Sequence, residues 1–172
     1  MLIVFSGLPG TGKTAIARDF SARTSAVYLR VDTIEQAIRS SGALAQGGVG
    51  RSGYFVANEL ALSNLRFGST VIVDCVNPVH ESRKAWSEIA NCSGVGLVNI
   101  EVICSDKKEH QRRVENRQVD IAGLTPPTWK SVLGHEYEAW IEAPFCIDTA
   151  LLSSAEAAAV IINRFLSKEH TS

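Results

Sequence analysis

A short apolar run, Leu2-Ile3-Val4-Phe5, leads into Gly7-Leu8-Pro9-Gly10-Thr11-Gly12-Lys13-Thr14, a complete G-x-x-x-x-G-K-[ST] loop. The pattern demands a strand before it, a helix after it, and glycines that curl the backbone until its N–H groups point at phosphate oxygens. Ala15, Ile16, Ala17, Phe20 and Ala22 give the following segment an apolar helical face. The candidate phosphate contacts are therefore Gly7, Gly10, Thr11, Gly12, Lys13 and Thr14, with the Lys13 charge directed at the outer phosphates and the Thr14 hydroxyl at magnesium.

At 172 residues the chain fits one domain, 1–172, large enough to bury a core without staples. A 45% hydrophobic and 20% charged composition is that of a globular chain. The net charge of −1 gives no broad basic surface for duplex nucleic acid, although a local basic groove stays open. With an apolar strand starting at residue 2, no signal segment or membrane span is read, and the cytoplasm is the expected location. Cys75, Cys92, Cys104 and Cys146 lack metal spacing and are expected as buried, reduced thiols. His80, His110 and His135 show neither ligand nor triad spacing.

Strand-like runs recur at 2–5, 26–31, 70–75, 96–104 and 145–147, with helical stretches between them. Near-continuous apolar strands alternating with amphipathic segments predict a three-layer α/β domain with a parallel sheet. Asp32-Thr33-Ile34-Glu35 opens a second helix, and Asn77-Pro78 leads into one carrying Trp86, Ile89 and Ala90. Thr125-Pro126-Pro127 begins a segment holding Trp129, Val132, Tyr137 and Trp140. Ser153 and Glu156 form a capping box ahead of Ala158, Ile161, Ile162, Phe165 and Leu166. The glycine-rich stretch 40–53 reads either as a surface loop or as a flap over an acceptor.

In open α/β sheets ligands lie beyond the carboxyl ends of the strands, where Asp32 and Asp74 each close an apolar run. Phosphoryl transfer needs an anchored magnesium ion and a carboxylate that orients or deprotonates the acceptor hydroxyl. Asp32 is assigned to the acceptor and Asp74 to magnesium, with the reverse division and plain helix-capping or turn roles left open. Arg113 and Arg117 are four apart, so on a helix both would reach one polyphosphate, as lid arginines over 112–127, or form a solvated face with Glu109 and Glu115. Arg39, Arg51, Tyr54 and Arg83 are lesser acceptor candidates. Asp120-Ile121-Ala122-Gly123 matches a GTPase D-x-x-G, but it follows a charged helix and no N-K-x-D accompanies it.

With 7–14, Val31-Asp32, 71–74, Arg113, Arg117 and Ile147-Asp148-Thr149 in order, the chain resembles the small P-loop kinase-like proteins grouped as AAA-family ATPases or kinases, over nearly its whole length. Polynucleotide 5′-hydroxyl kinases, gluconate-type kinases, chloramphenicol phosphotransferase and zeta-toxin-like kinases share that architecture. The resemblance implies a P-loop NTPase sheet of order 2-3-1-4-5, ATP with Mg2+, an arginine-bearing lid, and an adenine flanked by the loop after Asp148 and Thr149. It does not imply a hexameric machine, since no sensor motif is present. The functional expectation is transfer of the ATP γ-phosphoryl group to a hydroxyl of a small molecule. A polynucleotide 5′-hydroxyl kinase and a nucleotide-binding regulatory ATPase are the alternatives. Fold cannot choose the acceptor.

Overall fold

The computed structural model describes residues 1–42 and 48–166. Strands β1 (Leu2–Ser6), β2 (Val27–Arg30), β3 (Val71–Asp74), β4 (Leu97–Ile103) and β5 (Phe145–Asp148) form one sheet in the order β2-β3-β1-β4-β5. Every pairing is parallel. The helices are α1 (Lys13–Arg23), α2 (Val31–Ser40), α3 (Ser52–Arg66), α4 (His80–Ser93), α5 (Lys107–Glu115), α6 (Trp129–Leu133) and α7 (Ser154–Phe165).

The central strand shows why the sheet is covered twice. All of β1 is buried, and its successive side chains alternate between two cores. Ile3 and Phe5 pack with Ile16 and Phe20 of α1 and with Ala158 and Ile161 of α7. Leu2 and Val4 pack with Ala57, Ala61 and Leu65 of α3 and with Trp86 of α4. The Phe5 and Phe20 rings meet edge to face at 6.3 Å, fixing α1 against the strand that feeds the glycine loop. In register, Phe5 of β1 and Arg30 of β2 both flank Asp74 of β3, so these strands deliver their carboxyl ends to one rim.

Local signals set several boundaries. Asp106 caps α5 by accepting from the Lys108 and Glu109 amides, and Ser153 and Glu156 form the expected capping box on α7. Gly94 ends α4 in the left-handed region.

Elsewhere the structure corrects the sequence reading. Val31 begins α2 rather than ending β2, which puts Asp32 in the first helical turn and Arg30 at the cap position. The segment after Thr125-Pro126-Pro127 is helical only over Trp129–Leu133, capped by the Thr128 hydroxyl, and Tyr137 and Trp140 lie beyond it. Its continuation is diverted because the Glu138 amide donates to the Pro78 carbonyl and Arg83 grips the carbonyls of Glu138 and Ala139. Arg117 lies past the end of α5, so it does not share a helical face with Arg113. All four cysteines are free, but only Cys75 is buried; Cys92 and Cys146 are exposed and Cys104 is half-buried.

Of the stretch 40–53, residues 43–47 lie outside the described residues, while Ser52 and Gly53 belong to α3. Gly53 is a packing glycine: a Cβ there would stand 2.3 Å from Glu35 Cγ on α2.

Replacing Phe20 by Ala removes a fully buried ring that joins α1 to β1, and should cost about 3–5 kcal/mol of unfolding free energy. Urea unfolding checks this, and a loss under about 1 kcal/mol would contradict the packing described.

Candidate active site

The glycine loop connects β1 to α1 and is shaped by close approaches that side chains would block. Gly7 has φ 137°, and a Cβ there would stand 2.2 Å from the Val102 carbonyl oxygen. Gly10 has φ 84°, and its Cβ would stand 2.4 Å from Val114 Cγ2 on α5.

Three neighbours hold the loop. The Gly7 amide donates to the Val76 carbonyl at 3.1 Å, His110 Nε2 lies 2.8 Å from the Pro9 carbonyl oxygen, and the Thr149 hydroxyl donates to the Thr11 carbonyl at 2.7 Å. His110 is itself stacked edge to face on Trp129. Within the loop, Thr11 Oγ1 and Lys13 Nζ both donate to the Leu8 carbonyl, at 2.9 and 3.2 Å. Burial pushes the Lys13 ammonium pKa down, with the Asp74 and Asp32 carboxylates opposing that shift.

The loop forms one wall of a cleft of about 500 Å³. Lys13, Thr14, Asp32, Asp74, Arg113 and Arg117 all line it, so the sequence-derived catalytic and metal candidates converge. Arg117 reaches 3.7 Å from Asp32 Oδ2. Arg113 donates to Glu109 at 2.7 Å and to the Thr149 hydroxyl and carbonyl at 2.8 and 3.1 Å. Beside it a second cleft of about 460 Å³ is bordered by Gly12, Ala15 and residues 149–154. Asp148 borders neither cleft and accepts instead from the Ser105 and Ala150 amides.

The lesser acceptor candidates lie elsewhere. Arg39 pairs with Glu35 and Arg51 with Glu81, and neither lines the cleft. The Tyr54 hydroxyl accepts from the Asn77 amide at 2.9 Å. Arg83 is buried, donates to the carbonyls of Asn77, Pro78, Glu138 and Ala139, and lies over the rings of Tyr137 and Trp140. It anchors backbone rather than facing a ligand.

Sequence reasoning missed the centre of the charge network. Arg30, with 4% of its side chain exposed, stands 2.7 Å from Asp120, 3.4 Å from Asp32 and 3.8 Å from Asp74. Tyr28 donates to Asp74 Oδ2 at 2.9 Å, and burial foremost pushes the Tyr28 phenol up. The available signal was position: Tyr28 and Arg30 alternate along β2 toward the strand's carboxyl end. Asp120, set aside with its D-x-x-G motif, also accepts from Arg18.

A metal site built of protein groups alone is not present among the described residues, where no three His, Cys, Asp or Glu side chains cluster. One hydroxyl and one carboxylate at the rim of a phosphate loop fit magnesium, which takes few protein ligands and completes its shell with phosphate oxygens and water.

A glycine loop at the carboxyl edge of a parallel 2-3-1-4-5 sheet, facing two carboxylates and an arginine-bearing segment, defines a P-loop protein of kinase-like architecture. The sequence model of the AAA domain family matches residues 2–124, and the chain belongs to that family. Among solved structures it is similar to a candidate kinase from Chloroflexus aurantiacus J-10-fl, with TM-score 0.74 and 16% identity over 96% of each chain. A sugar kinase from Janibacter sp. HTCC2649 gives TM-score 0.68 and 15% identity over 94% of this chain and 92% of that one. Chaetomium thermophilum Kti12, solved with ADP-AlF3, gives 0.65 and 17% over 97% and 98%. At such identities the likeness shows a shared fold. No curated relative matches in sequence. No helix among the described residues is long and apolar enough to cross a membrane.

Two outcomes follow from these contacts. Gly10→Ala should destabilise the protein by about 1–3 kcal/mol, and adding Val114→Ala should recover part of that loss in a double-mutant cycle, since the two atoms compete for one space. The hydrogen bond from Arg30 foremost holds the Asp120 carboxyl at about 2, below the ordinary value of about 3.9. Stabilisation from that pairing is therefore complete above about pH 4 and lost as pH falls through the folded value. The melting-temperature gap between native protein and Asp120→Asn should narrow over that window.

Proposed function

We propose that this chain is an ATP-dependent phosphotransferase that moves the γ-phosphoryl group to a hydroxyl of a small molecule. The observation that supports it is the convergence of Lys13, Thr14, Asp32, Asp74 and Arg117 on one cleft. A nucleotide-binding module without an acceptor would need the lysine and threonine, but not a second carboxylate opposite them.

Each group has a role in this reading. Asp32, 38% exposed at its side chain, orients the acceptor hydroxyl and takes its proton as the acceptor oxygen bonds to phosphorus and the bond to the ADP oxygen breaks. Arg117, held beside Asp32, and Lys13 stabilise the charge on the phosphoryl oxygens. Thr14 and Asp74 would hold magnesium, which supplies charge neutralisation of the phosphates when bound. Arg113 positions Thr149, so the second cleft between Gly12 and Ser153 suits the adenine. The segment 112–127, which contributes Arg113, Arg117, Gln118, Asp120, Leu124, Thr125 and Pro127 to the cleft wall, serves as a lid that excludes water within a single domain.

The test is magnesium-dependent transfer from γ-labelled ATP across a panel of hydroxyl acceptors, with an oligonucleotide 5′ end as a competitor. Lys13→Ala should lower kcat by about a hundredfold or more. Asp32→Asn should abolish acceptor-stimulated turnover while leaving nucleotide binding intact. Tight nucleotide binding with no acceptor stimulation, and no effect of Asp32→Asn, would overturn the proposal.

A further inference from the structure

We infer that Asp120 fixes the charge of the acceptor side of the cleft, so that the acceptor is a hydroxyl compound bearing no carboxylate, sulfate or phosphate of its own. The inference rests on the phosphotransferase reading and narrows its substrate class.

An enzyme that binds an anionic acceptor needs a cation free to meet it. In this cleft the arginines are already partnered. Arg18 and Arg30, from α1 and the end of β2, converge on the same Asp120 oxygen. Arg117, beside Asp32, is committed to the phosphoryl oxygens in the reading above, and Arg113 is divided between Glu109 and Thr149. Beyond the cleft, Arg39 and Arg51 each face a glutamate, and Arg83 is consumed by backbone carbonyls. Residues 43–47 read Ala-Leu-Ala-Gln-Gly and bring no charge. Lys13, held by the Leu8 carbonyl within the glycine loop, is committed to the nucleotide phosphates in the reading above.

Asp120 is the pivot of this pairing because one carboxylate occupies two guanidinium groups from different elements. Like any aspartate it is ionised at neutral pH, and the Arg30 hydrogen bond foremost lowers its carboxyl further, to about 2. An anionic acceptor seeking the buried Arg30 would have to displace Asp120, and one seeking the half-exposed Arg18 would meet the Asp120 carboxylate beside it. Displacement would take the pairing from Arg30, 4% exposed at its side chain, and free a third carboxylate on the wall that already carries Asp32 and Asp74, which opposes a second anion there. A neutral polyol or sugar meets no such barrier and can use the carboxylates as hydrogen-bond acceptors.

The experiment has a binding arm and a transfer arm. Inorganic sulfate is titrated calorimetrically into protein saturated with Mg-ADP, so that the glycine loop is already filled. Native protein and Asp120→Glu should show no saturable sulfate binding, whereas Asp120→Asn should bind sulfate at least about tenfold more tightly, having freed two charged donors. Equal sulfate binding by native protein and Asp120→Asn would overturn the inference, with far-ultraviolet circular dichroism confirming that each variant is folded.

In the transfer arm, glucitol and gluconate, which differ by a carboxylate, compete as acceptors for the native enzyme. Preferential transfer to gluconate would overturn the inference while leaving the phosphotransferase reading standing. No transfer to any acceptor, with the sulfate contrast intact, would sink that reading and leave the charge-setting role of Asp120 in place.

Discussion

The phosphate loop cannot hold its own shape. Its glycines occupy backbone regions that are costly for other residues, and it carries a buried ammonium whose charge desolvation disfavours. What fixes it is a set of hydrogen bonds from outside: Val76 at the end of β3, His110 on α5, and Thr149 beyond β5. Each of these contacts comes from the segment that follows a different strand. The shape of the loop therefore rests on segments that follow β3, β4 and β5 as well as on β1, so its geometry depends on most of the sheet.

The same rim explains the distribution of charge. Parallel strands bring Arg30, Asp32 and Asp74 together because registers level their carboxyl ends, and desolvation then requires that these charges be paired. The pairing extends outward through Asp120 and Arg18 to the segment that covers the cleft. The carboxylates and guanidinium groups of the cleft thus share partners, so a change at one carboxylate is felt by several cations.

The architecture was legible where periodicity and spacing carry the information. The glycine loop, the five apolar runs, the aspartates at the carboxyl ends of β2 and β3, and the capping box on α7 all follow from local pattern. Partners distant in sequence leave no such trace. Arg30 meets a carboxylate 90 residues away and Tyr28 one 46 residues away, so neither stood out from an ordinary strand. Arg83 read as a lesser acceptor candidate because nothing local reveals that backbone carbonyls 55 and 56 residues downstream will surround it. The same contacts cut short the helix expected through Trp140, a case of tertiary bonding overriding local propensity. Arg113 and Arg117 reached one cleft, but through a helix end and the turn after it rather than along one helical face.

Arg83 and its ring of carbonyls have a consequence for how such a chain can change over evolutionary time. They rivet residues 137–140 to the start of α4, and Trp140 adds a bond to Glu101 on β4. The long excursion between α5 and β5 is thereby divided into a covering portion and a fastened root. Insertions or deletions upstream of the rivet would remodel the roof of the cleft without disturbing the strand that follows, because closing a longer loop adds little entropy. One cationic side chain therefore gives the scaffold a place where one wall of the cleft can change in length and composition while the glycine loop stays fixed.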